Sequence, residues 1–233
     1  KYPGLPGESD ALLDALERQP VEVTVAHPTS GEPVRLEMSR RTIGAAVRLM
    51  SYSDLLAALL PLAIHSAASG DYTILASQYI LASQQLGEGM SLGMYYSVVC
   101  AEDAPFLPAE DPPGDFYFDP GLDELQAACR VWLPEAPPAP QQAGGLRDVP
   151  ALLISGSADP VTPPANAVLA ARHLPRSYQL VLPGMGHNNF YAGCVPGILL
   201  EFLETGSSDN LNSACAGSIF PQPFFLSPSG PRP

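Results

Sequence analysis

The spacing of apolar positions divides the chain into a helix-patterned first part and a second part in which strand and helix patterns alternate. Ser9 precedes DALLDALERQ and is expected to cap a short amphipathic helix. VEVTVAH and VRLEM alternate apolar and polar residues around the turn residues PTSGEP, which predicts a hairpin. Ser39 then caps RRTIGAAVRLM. SDLLAALLPLAIHSAAS follows, with a kink or break expected at Pro61, and TILASQYILASQQL repeats apolar residues every three or four positions. Residues 1–86 therefore read as mostly helical.

The pattern changes near residue 94. MYYSVVCA is rich in aromatic and β-branched residues and reads as a buried strand. GLDELQAACRVW reads as a helix, and PEAPPAPQQAGG (134–145) as a Pro-rich surface loop. VPALLISG is then a strand, PANAVLAARHL a helix, YQLVLPG a strand and VPGILLEFLETG a helix. Such alternation predicts an α/β fold, a mostly parallel sheet covered by helices. The tail FPQPFFLSPSGPRP holds too much proline for a helix or a central strand.

Composition narrows the function. With 46% apolar and 15% charged residues, the 233-residue chain is globular rather than disordered. A net charge of −13 argues against nucleic acid and against anionic membrane surfaces. The longest apolar run, residues 55–64, is about half of what a bilayer needs and contains Pro61. The start, KYPGLPGESD, lacks the apolar core of a signal peptide. The expectation is a removed leader or a chain that begins within a longer protein.

None of the four cysteines forms a C-x-x-C pair, so neither a metal nor another cofactor is expected. Four cysteines allow three pairings. Local order favours Cys100–Cys129 and Cys194–Cys215, which would place the protein in an oxidising compartment, secreted or periplasmic. Four buried free thiols are the alternative.

The chemistry gathers in two loops. VPALLISG ends in SADPVTPP, and YQLVLPG ends in MGHNNF, so Asp159 and His187 follow the carboxyl ends of successive strands. Open α/β sheets carry their sites at that edge. An Asp and then a His, separated by one strand–helix–strand unit, form the second half of a Ser…Asp…His triad. A serine hydroxyl becomes a nucleophile when an imidazole takes its proton, and a carboxylate on the other ring nitrogen fixes tautomer and charge.

GSADPVTPPANA, LPGMGH, a following cysteine, FLETG and a second cysteine resemble the C-terminal half of secreted bacterial α/β-hydrolases of the proline iminopeptidase and tripeptidyl aminopeptidase group. LLPLAIHSAASGDY and SVVCAEDAPF are similar to that group's cap and the strand after it. The resemblance implies a partial α/β-hydrolase fold, with residues 1–93 a helical cap and 94–233 the C-terminal half of the core. It also implies an exopeptidase acting on free peptide N-termini, although some relatives cleave esters. Glu102, beside Asp103, is by this resemblance the candidate carboxylate for the substrate's α-ammonium; a buried ammonium needs such a partner.

Gly89-Met90-Ser91-Leu92-Gly93 matches G-x-S-x-G, but a nucleophile elbow needs a strand before the serine and a helix after it. Here a helical pattern precedes Ser91 and a strand pattern follows, so Ser91 reads as a loop residue. No other G-x-S-x-G exists and no HGGG-type loop is present. The expectation is that Asp159 and His187 are the acid and base of a serine hydrolase whose nucleophile comes from a separately supplied N-terminal half. A non-catalytic interaction module is the alternative from another class. Of the remaining candidates, His65 reads as a packed core histidine, and His27 and His173 as surface or turn residues. Trp132, Tyr95 and Tyr96 read as core or pocket aromatics; Asn188 and Asn189, beside His187, read as residues able to bond the histidine loop and receive no chemistry.

Overall fold

A computed structural model describes residues 2–107, 122–132, 148–209 and 211–231. The chain divides into two compact units, residues 1–49 with 63–141 and residues 50–62 with 142–233.

In the first unit, α1 (Leu5–Arg18) begins four residues before Ser9. Pro6 sits in its first turn, where a preset φ favours the helix and no N–H is wasted. That is why the boundary lies earlier than a serine cap predicts. Leu12, Leu13 and Leu16 form its buried face. β1 (Val21–Ala26) and β2 (Pro33–Met38) pair antiparallel, Val21 opposite Met38 through Ala26 opposite Pro33, which is the expected hairpin. His27 opens its turn, with Nδ1 3.0 Å from the Thr29 hydroxyl. The Ser39 hydroxyl accepts the Thr42 amide at 3.2 Å and so caps α2 (Arg40–Met50), as the sequence predicts.

α3 (Asp54–Ala68) contains Pro61 without ending there. The division between the units falls one residue later, at 62/63. His65 is not a core histidine: its side chain is half exposed, and Nδ1 lies 2.7 Å from Glu8 Oε2. α3 turns its small residues Ala63 and Ala67 inward, which leaves position 65 on the outer face.

α4 (Thr73–Gly89) follows as expected, but the strand expected at 94–101 is a helix, α5 (Leu92–Glu102). A short apolar run does not distinguish a buried strand from a helix, and here tertiary contacts decide. Cys100 is bonded to Cys129 of α6 (Leu122–Trp132), and the Trp132 indole N–H donates to Ser97 Oγ at 3.2 Å. Tyr95 meets Tyr96 in a T-shaped pair at 5.3 Å, and Tyr96 lies 5.2 Å from the tilted Trp132 ring. The Pro-rich loop expected at 134–145 lies outside the described residues.

The second unit carries the alternating pattern as expected: β3 (Ala151–Gly156), α7 (Pro164–Ala171), β4 (Ser177–Leu182) and α8 (Val195–Thr205). β3 and β4 pair in parallel, with Ala151 opposite Ser177 and Gly156 opposite Leu182. A right-handed strand–helix–strand crossover is the usual connection for such a pair. Leu180, Leu182, Met185, Val195, Ile198, Leu211 and Ala216 form the core, with Leu152 and Ile154 packed against it. The second disulfide, Cys194–Cys215, ties the start of α8 to the turn Ala214–Ser218 and closes a loop across that core. Both disulfides are those favoured from the sequence. Among the described residues, no helix is long and apolar enough to cross a membrane.

Candidate active site

The site is built at the carboxyl ends of β3 and β4. β3 ends in Gly156, where the chain turns. The Ser157 amide donates to Leu182 O at 2.9 Å and the Ala158 amide to Met185 O at 3.0 Å, so the two strand ends are laced together. Gly156 is glycine for a steric reason: a Cβ there would lie 2.1 Å from Met185 O and 2.2 Å from Gly186 O. Gly184, at φ +70°, makes the turn after β4 that swings the chain back toward this point. The Ser157 hydroxyl accepts its amide at 2.7 Å.

Asp159 and His187 come together here. Asp159 is buried, its side chain only 3% exposed, whereas His187 keeps 31% of its side chain exposed. Imidazole Nδ1 lies 3.0 Å from Asp159 Oδ2 and 3.2 Å from Oδ1. A carboxylate only accepts, so Nδ1 carries the proton and Nε2 holds the lone pair. This is the orientation a general base requires: the carboxylate fixes the tautomer and Nε2 takes the proton.

Asp159 is held by its own loop. The amides of Val161 and Thr162 donate to Oδ1 at 2.8 and 3.0 Å, and the Thr162 hydroxyl donates to Oδ2 at 2.8 Å. Thr162 Oγ1 also lies 3.2 Å from His187 Nδ1, so this hydroxyl belongs to both members of the pair. Sequence reasoning missed Thr162. The available signal was the Asp-Pro-Val-Thr order, in which an aspartate carboxylate caps the amides two and three residues on.

Burial is the largest single influence on the Asp159 carboxyl, and by itself it would raise the pKa. The Thr162 amide, His187, the Val161 amide and the Thr162 hydroxyl together outweigh it and hold the group below the ordinary aspartate value. Since the folded value lies below the unfolded one, the unfolded chain binds this proton more readily. The carboxylate's contribution to stability is therefore complete above about pH 4 and is lost as pH falls through the folded value. Asp71, held low by the Thr73 hydroxyl and amide, adds to the same acid limb. The expected result is that Asp159→Asn flattens part of that limb: denaturant midpoints of the two proteins, well separated at neutral pH, converge as the buffer is taken below pH 4. Parallel curves would contradict the assignment.

Three further groups brace the histidine loop. Tyr52 packs its ring 5.4 Å from the imidazole, tilted by 38°. Asp54 Oδ1 accepts the Gly186 amide at 2.6 Å. The Asn189 side-chain amide donates to Gly186 O at 2.6 Å. The Asn189 bond is the histidine-loop contact the sequence allowed, whereas Tyr52 and Asp54 carried no assignment from the sequence.

The other candidates belong to the first unit. Glu102 is the exposed last residue of α5, in the first unit. The residue after it, Asp103, lines an apolar groove of about 520 Å³ with Tyr95, Val99, Phe106, Leu107 and Leu125. Ser91 occupies the N-cap position of α5 without a side-chain capping bond, and the element before it is α4, a helix rather than a strand. The strand–serine–helix order of a nucleophile elbow is therefore not met at Ser91. Among the described residues, no group of three or more His, Cys, Asp or Glu side chains could hold a metal.

The family model Abhydrolase_4, described as TAP-like protein, matches residues 115–215. The matched stretch contains Asp159, His187, both strands of the parallel sheet and three of the four cysteines. It supports an α/β-hydrolase relationship for this part of the chain, consistent with its small parallel sheet. No curated protein and no solved structure matches the chain.

Proposed function

We propose that this chain supplies the acid and base of a serine hydrolase that removes residues from peptide N-termini, and that the nucleophile comes from a segment outside these 233 residues. The observation that carries the reading is the hydrogen bond from His187 Nδ1 to the buried Asp159 carboxylate. It leaves Nε2 as the base, at the sheet edge where open α/β sheets place their sites. The similarity to TAP-like proteins supports the hydrolase class.

The small sheet supports this reading of the partner. A parallel sheet is normally covered on both faces and continued on both sides, yet β3 and β4 pair only with each other among the described residues. Strands from the nucleophile-bearing segment would continue this sheet, and the helical first unit would act as the cap. Two disulfides fit a secreted or periplasmic setting.

The peptidase reading is tested by substrate choice in the enzyme isolated from its source. A peptide amide with a free N-terminus should be cleaved, and its N-acetylated counterpart should lose most of its kcat/KM. Glu102→Gln should raise KM for the free amine while leaving a neutral ester unchanged. Equal cleavage of blocked and free peptides would reject the aminopeptidase assignment and favour an esterase.

A further inference from the structure

Two successive peptide planes lead into His187, and each is pinned by a different side chain. The amide of Gly186 donates to Asp54 Oδ1 at 2.6 Å, and the carbonyl of Gly186 accepts from Asn189 Nδ2, also at 2.6 Å. Asn189 is 4% exposed, so its bond is not shared with bulk water. Its Oδ1 is buried and makes no hydrogen bond to another described residue. The carboxylate of Asp54 makes the first bond charge-assisted and correspondingly strong.

The segment that brings Asp54 here is remote in sequence. Asp54 and Gly186 are 132 residues apart. The same segment supplies Tyr52, whose ring lies against the imidazole, and Ser51 O, which would lie 3.2 Å from a Cβ at position 186. That hypothetical Cβ would also lie 3.0 Å from Asp54 Oδ1, so glycine at 186 is what allows the approach. Residues 51–54 thus meet the histidine loop with a ring on the imidazole and a carboxylate on the backbone one residue before it.

We propose that Asp54 is a positioning residue for His187: acting through the Gly186 amide, it sets the loop so that Nδ1 rather than Nε2 faces Asp159. This rests on the assignment of His187 as the base. Asp54 touches neither the imidazole nor Asp159 in the described hydrogen bonds, so its effect passes through backbone geometry. An imidazole held at the wrong angle would lose the Nδ1–H bond to Asp159 and relax toward the Nε2–H tautomer, in which Nε2 has no lone pair for catalysis.

The test reads the tautomer directly and needs no activity. The chain has four histidines, so long-range ¹H–¹⁵N correlation spectra of the full chain can be assigned, with His187→Gln identifying the signal. The wild type should hold neutral His187 as Nδ1–H. Asp54→Ala should lower the Nδ1–H to Nε2–H ratio by roughly three- to tenfold, the range set by one hydrogen bond. Asp54→Asn, which keeps an acceptor oxygen, should restore most of it. Gly186→Ala, which crowds the same carboxylate without removing it, should lower the ratio as well and serves if Asp54→Ala does not fold. Ser208→Ala removes a bond to Arg176 O elsewhere in this unit and should leave the ratio unchanged. A wild-type ratio in both Asp54→Ala and Gly186→Ala, or an equal fall in Ser208→Ala, would overturn the proposal while leaving the Asp159–His187 pair intact. A wild type that already holds Nε2–H, or one indifferent to Asp159→Asn, would reject the pair itself, and the role of Asp54 with it.

Discussion

Asp159→Asn should lower kcat of the nucleophile-bearing enzyme by roughly 10⁴ with little change in KM. The substitution is nearly isosteric, and the amides of Val161 and Thr162 can still donate to the retained oxygen. The other carboxylate oxygen becomes an NH₂ group, facing the Thr162 hydroxyl and His187 Nδ1. The threonine can rotate its hydroxyl and accept. The imidazole can accept only by giving up its Nδ1 proton, which moves to Nε2 and removes the lone pair needed to take a proton from a nucleophile. The loss is one of tautomer rather than of fold, so far-UV circular dichroism at neutral pH should match the wild type. A kcat within tenfold of wild type would mean that Asp159 does not serve this histidine in catalysis.

Gly156→Ala should be the most damaging small substitution in the second unit. One methyl group would lie 2.1 and 2.2 Å from two backbone carbonyls, and 2.6 Å from Met185 C. Backbone atoms cannot swing away as a side-chain tip can. Either β3 shifts out of its register with β4, or residues 185–186 move and carry His187 with them. Overpacking of this kind costs about 1–3 kcal/mol, and a clash with backbone rather than a side-chain tip belongs at the upper end of that range. A urea titration should show the lost stability, and the Ala158 amide, no longer held by Met185 O, should lose protection against hydrogen exchange. By contrast, Gly197, also in this unit, has no atom within 4 Å of a Cβ position, and Gly197→Ala should be close to neutral. Equal stabilities for the two alanine variants would contradict the steric account.

What could be read from the sequence was local. The β3–α7–β4–α8 order follows from apolar runs and their punctuation, and Asp159 and His187 were visible because each follows such a run directly. The hairpin and the Ser39 cap were legible for the same reason, as was the favoured cysteine pairing, in which each bridge joins neighbours in chain order. Residues 94–101 were not legible as a helix. Tyr, Val and Met side chains suit a strand, and what makes α5 a helix is its pairing with α6 through Cys129 and Trp132, about thirty residues on. His65 was misplaced because an apolar helix suggests burial all round, while its carboxylate partner is Glu8, 57 residues earlier in the chain. Asp54 and Tyr52 left no pattern at all, since their meeting with the histidine loop depends on a contact spanning more than 130 residues. Thr162 lies inside GSADPVTPPANA, but the spacing of Asp159 and His187 does not reveal that its hydroxyl meets both.

The most direct test of the central claim is an intact-mass measurement with a fluorophosphonate probe, made on the 233-residue chain alone and on the protein isolated from its source. The account predicts that the chain alone gains no mass, whereas a longer or two-chain form is labelled at a serine outside these residues. If the chain alone takes up the probe and the label maps to Ser91, the chain is a self-contained enzyme, and the separate source of its nucleophile proposed above is wrong.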